Sequence, residues 1–205
     1  MKIALVKYNA GNVQSVLFAL RRLGHTADWT DDPATLRRAD RVIFPGVGEA
    51  SSAMHYLKAR GLDELIRSLQ QPVLGICLGL QLFCRHSEEN DTPCLRIFEC
   101  DVRRFGGLDM PAEPGGSRAV LKVPHMGWNK LRQLRGPLFS GVAEESYVYF
   151  VHSYYAEMQP GAIAQTEYGE TFSAALQRDN FFAVQFHPEK SGPVGQQILK
   201  NFLNI

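Results

Sequence analysis

Three side chains, far apart in the chain, have the types that a thiol-based acyl transfer needs. Cys77 lies in Gly75-Ile76-Cys77-Leu78-Gly79, and His187 and Glu189 share the stretch "FFAVQFHPEKSG". The first stretch fits the G-x-nucleophile-x-G elbow, with cysteine in place of serine. Such an elbow lifts the side chain out of a strand end. It also sets it at a helix N-terminus, where the thiolate is favoured. The Leu78 backbone N–H then becomes available to a developing oxyanion. A thiol nucleophile needs a base, and the base needs an orienting group. His187 follows an apolar run, and Pro188 favours extended backbone before it, so residues 187 and 189 are expected to point the same way. Glu189 would then hold one ring nitrogen while the other faces Cys77. His152 in "YFVHSYY" is the nearest rival among five other histidines. The turn Pro45-Gly46-Val47-Gly48 offers a second oxyanion donor at Val47 and Gly48, because glycine lets a peptide N–H approach a substrate. Each feature also has a plainer reading: a packed cysteine, a strand-end His-Pro, a tight loop. Their convergence is what points to an acyl-transfer site.

These residues need a scaffold that brings strand ends together. The first half alternates short apolar runs with helical patterns. Strands are expected at Ile3 to Val6, in "HTADWT", at Arg41 to Phe44 and at Val73 to Ile76. A helix after Asn12 carries Val13, Val16, Leu17, Leu20 and Leu23 at i, i+3, i+4 and i+7, and Gly24 ends it. Further helices are expected over Pro33 to Ala39, Met54 to Leu57, Leu62 to Leu69 and from Leu78. Alternation of this kind predicts an α/β, doubly wound, mostly parallel sheet with helices on both faces, whose sites form at strand carboxyl ends. The second half reads as antiparallel additions: Cys100 to Phe105, Tyr147 to Val151, Ala162 to Glu167, Ser173 to Leu176 and Phe182 to Phe186. A Gly/Pro-rich surface loop is expected over Gly106 to Gly116, and a final helix near Pro193 carrying Val194, Ile198, Phe202 and Leu203 inward. No repeat or long linker divides the chain, so one domain over 1–205 is expected.

The bulk composition narrows the function further. The 205 residues are 45% hydrophobic and 21% charged, as in ordinary soluble domains. A net charge of +1, from 22 basic and 21 acidic residues, argues against nucleic acid or an anionic membrane as partner. Arg37-Arg38 with Arg41, and Arg103-Arg104, read as solvated faces. The apolar run Ile3 to Val6 is too short for a secretory signal core, and the run around Cys77 is too short and broken to span a bilayer; a cytoplasmic location is expected. Cys77, Cys84, Cys94 and Cys100 show no zinc spacing, even with His86, and read as free thiols. No metal or organic cofactor is expected.

Beyond the chemistry, "GICLGLQ", "PGVG" and "FHPEKSG" together resemble the class I glutamine amidotransferases. Over almost the whole chain, "YNAGNVQSV", "PGVGEA", "VRRF", "KVPHMGWNKL" and "YVYFVHSYY" are similar, in order, to the glutaminase subunits of imidazole glycerol phosphate synthases. The resemblance implies that Cys77 attacks the side-chain amide of glutamine, with His187 as proton carrier and Glu189 as its orienting group. It implies substrate contacts from Gln81, His152, Ser153 and Tyr154. It further implies a (β/α)8 cyclase partner in a heterodimer, which uses the ammonia in histidine biosynthesis. Asn12, Pro124, His125, Met126, Gly127, Trp128 and Lys190 would fall in docking and gating segments. An amidotransferase with another acceptor, and a doubly wound binding protein with an incidental thiol, are the alternatives. The chain departs from the family pattern at Lys7, where an acidic residue is usual, at Ala10, and in "CLRIFECDVRRF", which lacks a glycine-rich "GLG".

Overall fold

The computed structural model describes residues 1–8, 13–106 and 121–205. Ala10, Asn12 and nearly all of the loop expected over 106–116 lie outside the described residues. The first half forms β1 (Ile3–Val6), α1 (Val13–Arg22), β2 (Asp28–Thr30), α2 (Pro33–Arg38), β3 (Arg41–Phe44), α3 (Ala50–Ala59), α4 (Leu62–Arg67), β4 (Val73–Ile76) and α5 (Leu78–Phe83). The second half adds β5 (His86–Ser87), β6 (Thr92–Pro93), β7 (Asp101–Arg104), β8 (His125–Lys130), β9 (Tyr147–His152), β10 (Tyr154–Ala156), β11 (Ala162–Tyr168), β12 (Glu170–Arg178), β13 (Phe181–Val184) and α6 (Gly192–Asn204).

The main sheet has seven strands in the order β11-β12-β13-β4-β3-β1-β2. The five from β13 to β2 run parallel, and β11 and β12 are antiparallel extensions. A row of apolar side chains crosses the sheet in register, Leu5 beside Ile43 beside Leu74 beside Phe182. Period-2 alternation sends this row to one face and Ala4, Val42 and Val73 to the other. The first face packs on Val16 and Leu20 of α1 and on Ile198 and Phe202 of α6. The second packs on Leu36, Met54, Leu57 and Leu65 of α2 to α4. Both faces are therefore covered by helices, which is why the central strands read as unbroken apolar runs.

Local signals set the helix ends. Asp32 accepts from the Ala34 and Thr35 N–H groups and caps α2, with Pro33 at its first position. Gly24, at φ +83°, turns the chain out of α1, while the N–H groups of Gly24 and His25 return to Arg21 and Leu20. Two smaller sheets stand over the carboxyl ends of the main one. One has the order β10-β7-β5-β6, and the other is the antiparallel pair β8 and β9. Strand β8 was not expected, because Gly127 interrupts its alternation; β9 supplies the partner that defines it.

The junction of β4 and α5 is unusually close. A Cβ on Gly79 would collide with the Phe44 carbonyl oxygen, and one on Gly75 would sit 2.9 Å from the Gly79 carbonyl. Gly79→Ala is therefore expected to cost about 3 kcal/mol or more in urea unfolding. Gly106→Ala, where a Cβ meets open space, should change stability by less than about 0.5 kcal/mol. Equal stabilities of the two variants would show that the close approach is not a constraint.

Candidate active site

Cys77 stands between β4 and α5 with φ 52° and ψ −105°, a conformation that costs a non-glycine residue about 1–3 kcal/mol. Its N–H donates to the Val184 carbonyl of β13 at 2.8 Å, and its carbonyl accepts from the Gln81 N–H of α5 at 3.2 Å. The strained residue is thus held from the strand side and the helix side together. Its sulfur lies 3.9 Å from the Val151 carbonyl and 3.6 Å from Gln185 Nε2, which donates to it.

Beside Cys77 opens a cleft of about 250 Å3, lined by Val47, Gly48, Cys77, Leu78, Gln81, Glu89, Val151, His152, Ser153 and Tyr154. Every residue expected to hold the oxyanion or the substrate lines it. The Leu78 N–H, however, does not point freely into it: it donates to the Gly46 carbonyl at 3.4 Å. The turn that carries this carbonyl is fixed at its base by Tyr8, whose buried hydroxyl donates to the Pro45 carbonyl at 2.6 Å. Burial, with the Cys77 sulfur a smaller cause, holds the Tyr8 phenol far above its ordinary range, so it remains a donor.

His187 and Glu189 are brought to Cys77 by a different route from the one expected. Residues Pro188–Lys190 form a 3-10 turn, not extended chain, because Pro188 presets the φ of a first helical position. The turn still brings His187 Nδ1, donating, to 2.8 Å from Glu189 Oε1, with both side chains about 97% buried. His187 Nε2 is buried without a hydrogen-bond partner among the described residues, and it is the nitrogen left for the thiol. Burial alone would lower the imidazole pKa. The Cys77 sulfur first, and the Glu189 carboxylate next, outweigh it and push the pKa up to about 10. The ring therefore carries a proton at neutral pH. Ser191 anchors the backbone here: its hydroxyl donates to the His187 carbonyl at 2.7 Å and accepts from the Tyr149 N–H at 2.9 Å.

His152 is in the opposite state. Its Nδ1 donates to the Tyr154 carbonyl at 2.7 Å, and burial holds its pKa down to about 3. Its Nε2 accepts from His125 at 3.1 Å, which leaves no lone pair for a substrate proton. Gln81 Nε2 donates to the same Tyr154 carbonyl at 2.9 Å and to Gln185 Oε1 at 3.2 Å.

Two residues of the site were not singled out from sequence. Gln185 is two positions from His187 and reads as part of an apolar strand. Glu89 lies in "SEEN", which reads as a solvated turn, yet it lines the cleft. It is half-buried, its carboxyl is pushed up by that burial, and Oε2 accepts from the Ala50 N–H at the start of α3 at 2.7 Å.

The residues expected at a partner surface divide in two. Met126 and Trp128 are 67% and 55% exposed, large apolar side chains on the outer face of β8, with Pro124 and Lys190 also exposed. Trp128 packs edge-on to Tyr149 at 6.0 Å, and Lys190 Nζ lies 5.9 Å over the same ring. His125 belongs elsewhere: it is 3% exposed and stacked between Phe150 and Tyr168, because alternate residues of β8 face inward. Cys84 and Cys100 are buried with sulfurs 3.5 Å apart, and no cluster of His, Cys, Asp or Glu among the described residues has the arrangement to hold a metal ion. No helix of the described residues is long and apolar enough to cross a membrane.

Comparison with known proteins agrees with this geometry. Residues 5–205 match the family "Glutamine amidotransferase class-I". Over full length on both sides, the chain is 55% identical to the imidazole glycerol phosphate synthase subunit HisH of Bacteroides thetaiotaomicron and 45% identical to that of Photorhabdus laumondii. Among solved structures, a glutamine amidotransferase superposes with TM-score 0.72 at 18% identity, covering 98% of this chain and 97% of the other. A glutamine amidotransferase from Thermotoga maritima does so with TM-score 0.63 at 17% identity, covering 100% and 83%. At these identities the superpositions speak for the fold, and the sequence relatives speak for the family. The chain belongs to the class I glutamine amidotransferases and, within them, to the HisH subunits of imidazole glycerol phosphate synthase.

Proposed function

We propose that the chain acts as one glutaminase unit that splits glutamine at Cys77 and passes ammonia to a (β/α)8 cyclase partner in a heterodimer. The observation that carries this reading is the buried His187–Glu189 pair set against Cys77 at the strained elbow. The thiolate attacks the side-chain amide carbon of glutamine. The His187 imidazolium gives its proton to the departing nitrogen, so neutral ammonia leaves and a γ-glutamyl thioester remains. His187, now neutral at Nε2, takes a proton from water; hydroxide attacks the thioester and releases glutamate. Glu189 keeps the ring in one tautomer throughout. Gln81, Ser153 and Tyr154 are proposed to position the substrate, and His152 contributes through its backbone. Glu89, the one carboxylate among the described residues that line the cleft, is suited to the substrate's α-ammonium.

The oxyanion donors are incomplete as they stand. The Gly46 carbonyl occupies the Leu78 N–H. Rotation of the peptide between Gly46 and Val47 would free that N–H and turn the Val47 N–H, beside Gly48, toward the same point. We assign this rotation to the complex with partner and ligand, so that the isolated chain is slow. The docking surface is proposed as Pro124, Met126, Gly127, Trp128 and Lys190. Asn12 is proposed with them from its motif alone.

Cys77→Ala should abolish ammonia release from glutamine in the complex while leaving partner affinity within about twofold. Retained glutaminase activity would sink the assignment. Trp128→Ala should weaken the complex at least about tenfold, as loss of a central aromatic anchor does; unchanged affinity would place the interface elsewhere. The raised pKa of His187 also has a sign that can be checked. Stability from its charged form is fully present below its unfolded value of about 6.5 and is lost as pH rises through about 10. Imidazole NMR should place its midpoint near 10 and lower it in both Cys77→Ala and Glu189→Gln. The wild type should lose more stability than either variant between neutral pH and that midpoint. Midpoints unchanged by both substitutions would refute the charge pairing.

A further inference from the structure

Behind the proposed docking face of β8 runs a line of polar side chains, half-buried at Asn129 and buried at His125 and His152, that the proposed chemistry does not use. Asn129 Nδ2 lies 3.3 Å from His125 Nε2, His125 Nδ1 lies 3.1 Å from His152 Nε2, and His152 Nδ1 lies 2.7 Å from the Tyr154 carbonyl. The proton positions follow from the ends. A carbonyl oxygen accepts, so His152 Nδ1 carries hydrogen. A neutral ring then has a lone pair at Nε2, so His125 Nδ1 donates to it. His125 Nε2 in turn accepts from Asn129. The Asn129 amide is itself oriented, because Nδ2 donates to the Glu167 carbonyl at 2.9 Å and Oδ1 accepts from the Lys130 N–H at 2.8 Å. Every donor in the line points the same way, and each ring has one tautomer. Burial keeps both rings neutral, holding His125 down to about 4 and His152 to about 3.

The position of the line gives it a use. His125 and His152 are direct cross-strand partners, and Asn129 lies four residues on, on the same face of β8. Met126 and Trp128 stand on the opposite face. One strand thus carries apolar side chains outward and the polar line inward. At its inner end the Tyr154 carbonyl also accepts from Gln81, and Gln81 reaches Cys77 Sγ through Gln185. An apolar strand would bury this face with less difficulty, since each buried polar group must be paired.

We propose that Asn129, His125 and His152 are positioning residues for the glutaminase reaction: their line fixes the Tyr154 carbonyl, and through it Gln81, so that the seating of β8 sets the geometry of the substrate cleft. The inference rests on the glutaminase reading above. It places none of the three against the reacting atoms.

Two substitutions of His125 separate this role from packing. His125→Phe keeps a ring between Phe150 and Tyr168 but removes both hydrogen bonds. His125→Asn forfeits the stacking but returns an N–H donor near the position of Nδ1. In the full chain assembled with its cyclase partner, His125→Phe should raise the KM for glutamine about tenfold, with kcat changed less than about threefold. His125→Asn should recover most of that loss although it unfolds at a lower temperature. Asn129→Asp, which replaces the donor by an isosteric acceptor without entering the core, should raise KM in the same direction and serves where a His125 variant does not fold. A Phe variant that matches the wild type, or outperforms Asn, would overturn the proposal, as would an unchanged KM in Asn129→Asp. A wild-type complex without glutaminase activity would instead overturn the reading on which the proposal stands.

Discussion

The backbone of α5 passes so close to the end of β3 that only a hydrogen fits between Gly79 and the Phe44 carbonyl. Much of the site depends on this contact. With the helix pressed onto the strand end, the chain has no room for a gradual turn at Cys77 and adopts the strained one. The turn after β3 then runs directly beside the first residue of α5, which brings the Gly46 carbonyl to the Leu78 N–H. Moving the helix outward by the width of a methyl group would carry Cys77, the Leu78 N–H and Gln81 away from the turn at Val47 and Gly48. Tight packing here is what allows groups from three sequence regions to share a small cleft.

Charge is handled in two ways around Cys77, by neighbours more than by depth. His187 and His152 are both almost fully buried. One faces a carboxylate and the Cys77 sulfur and is charged; the other faces a carbonyl and a second neutral ring and is neutral. Desolvation acts against the imidazolium in both, so the sign of the shift is decided by the partner. A charged histidine is thereby set apart from a neutral one, although both lie around the same cysteine.

The sequence was most legible where local rules and tertiary demands agree. β1, β3 and β4 stand where their apolar runs lie, and Asp32 and Gly24 mark helix ends by capping and by positive φ. Cys77 and its glycines were readable because an elbow needs small neighbours on both sides. Other features depend on contacts that no short stretch contains. The pairing of His187 with Glu189 was legible, but its geometry was not, since a turn and a strand both bring i and i+2 within reach here. The occupied Leu78 N–H depends on where a separate turn puts one carbonyl. His125, in a motif associated with docking, faces inward because pairing with β9 fixes which alternate residues of β8 are covered. Glu89 and Gln185 gave no signal of their own; each is defined by the cleft it enters.

Ser191 ties these threads in a way that bears on how the chain can change over time. Its hydroxyl fastens the His187 main chain to Tyr149 of β9, and the ring of Tyr149 supports both Trp128 and Lys190 on the outer surface. The strand therefore holds the His187 main chain with its backbone and the exposed face with its side chains. Substitutions that reshape that face will tilt the strand to which the His187 main chain is fastened. Under the roles proposed above, recognition and turnover are coupled traits in such an arrangement. A lineage that reshapes this surface must acquire compensating changes around His187 as well.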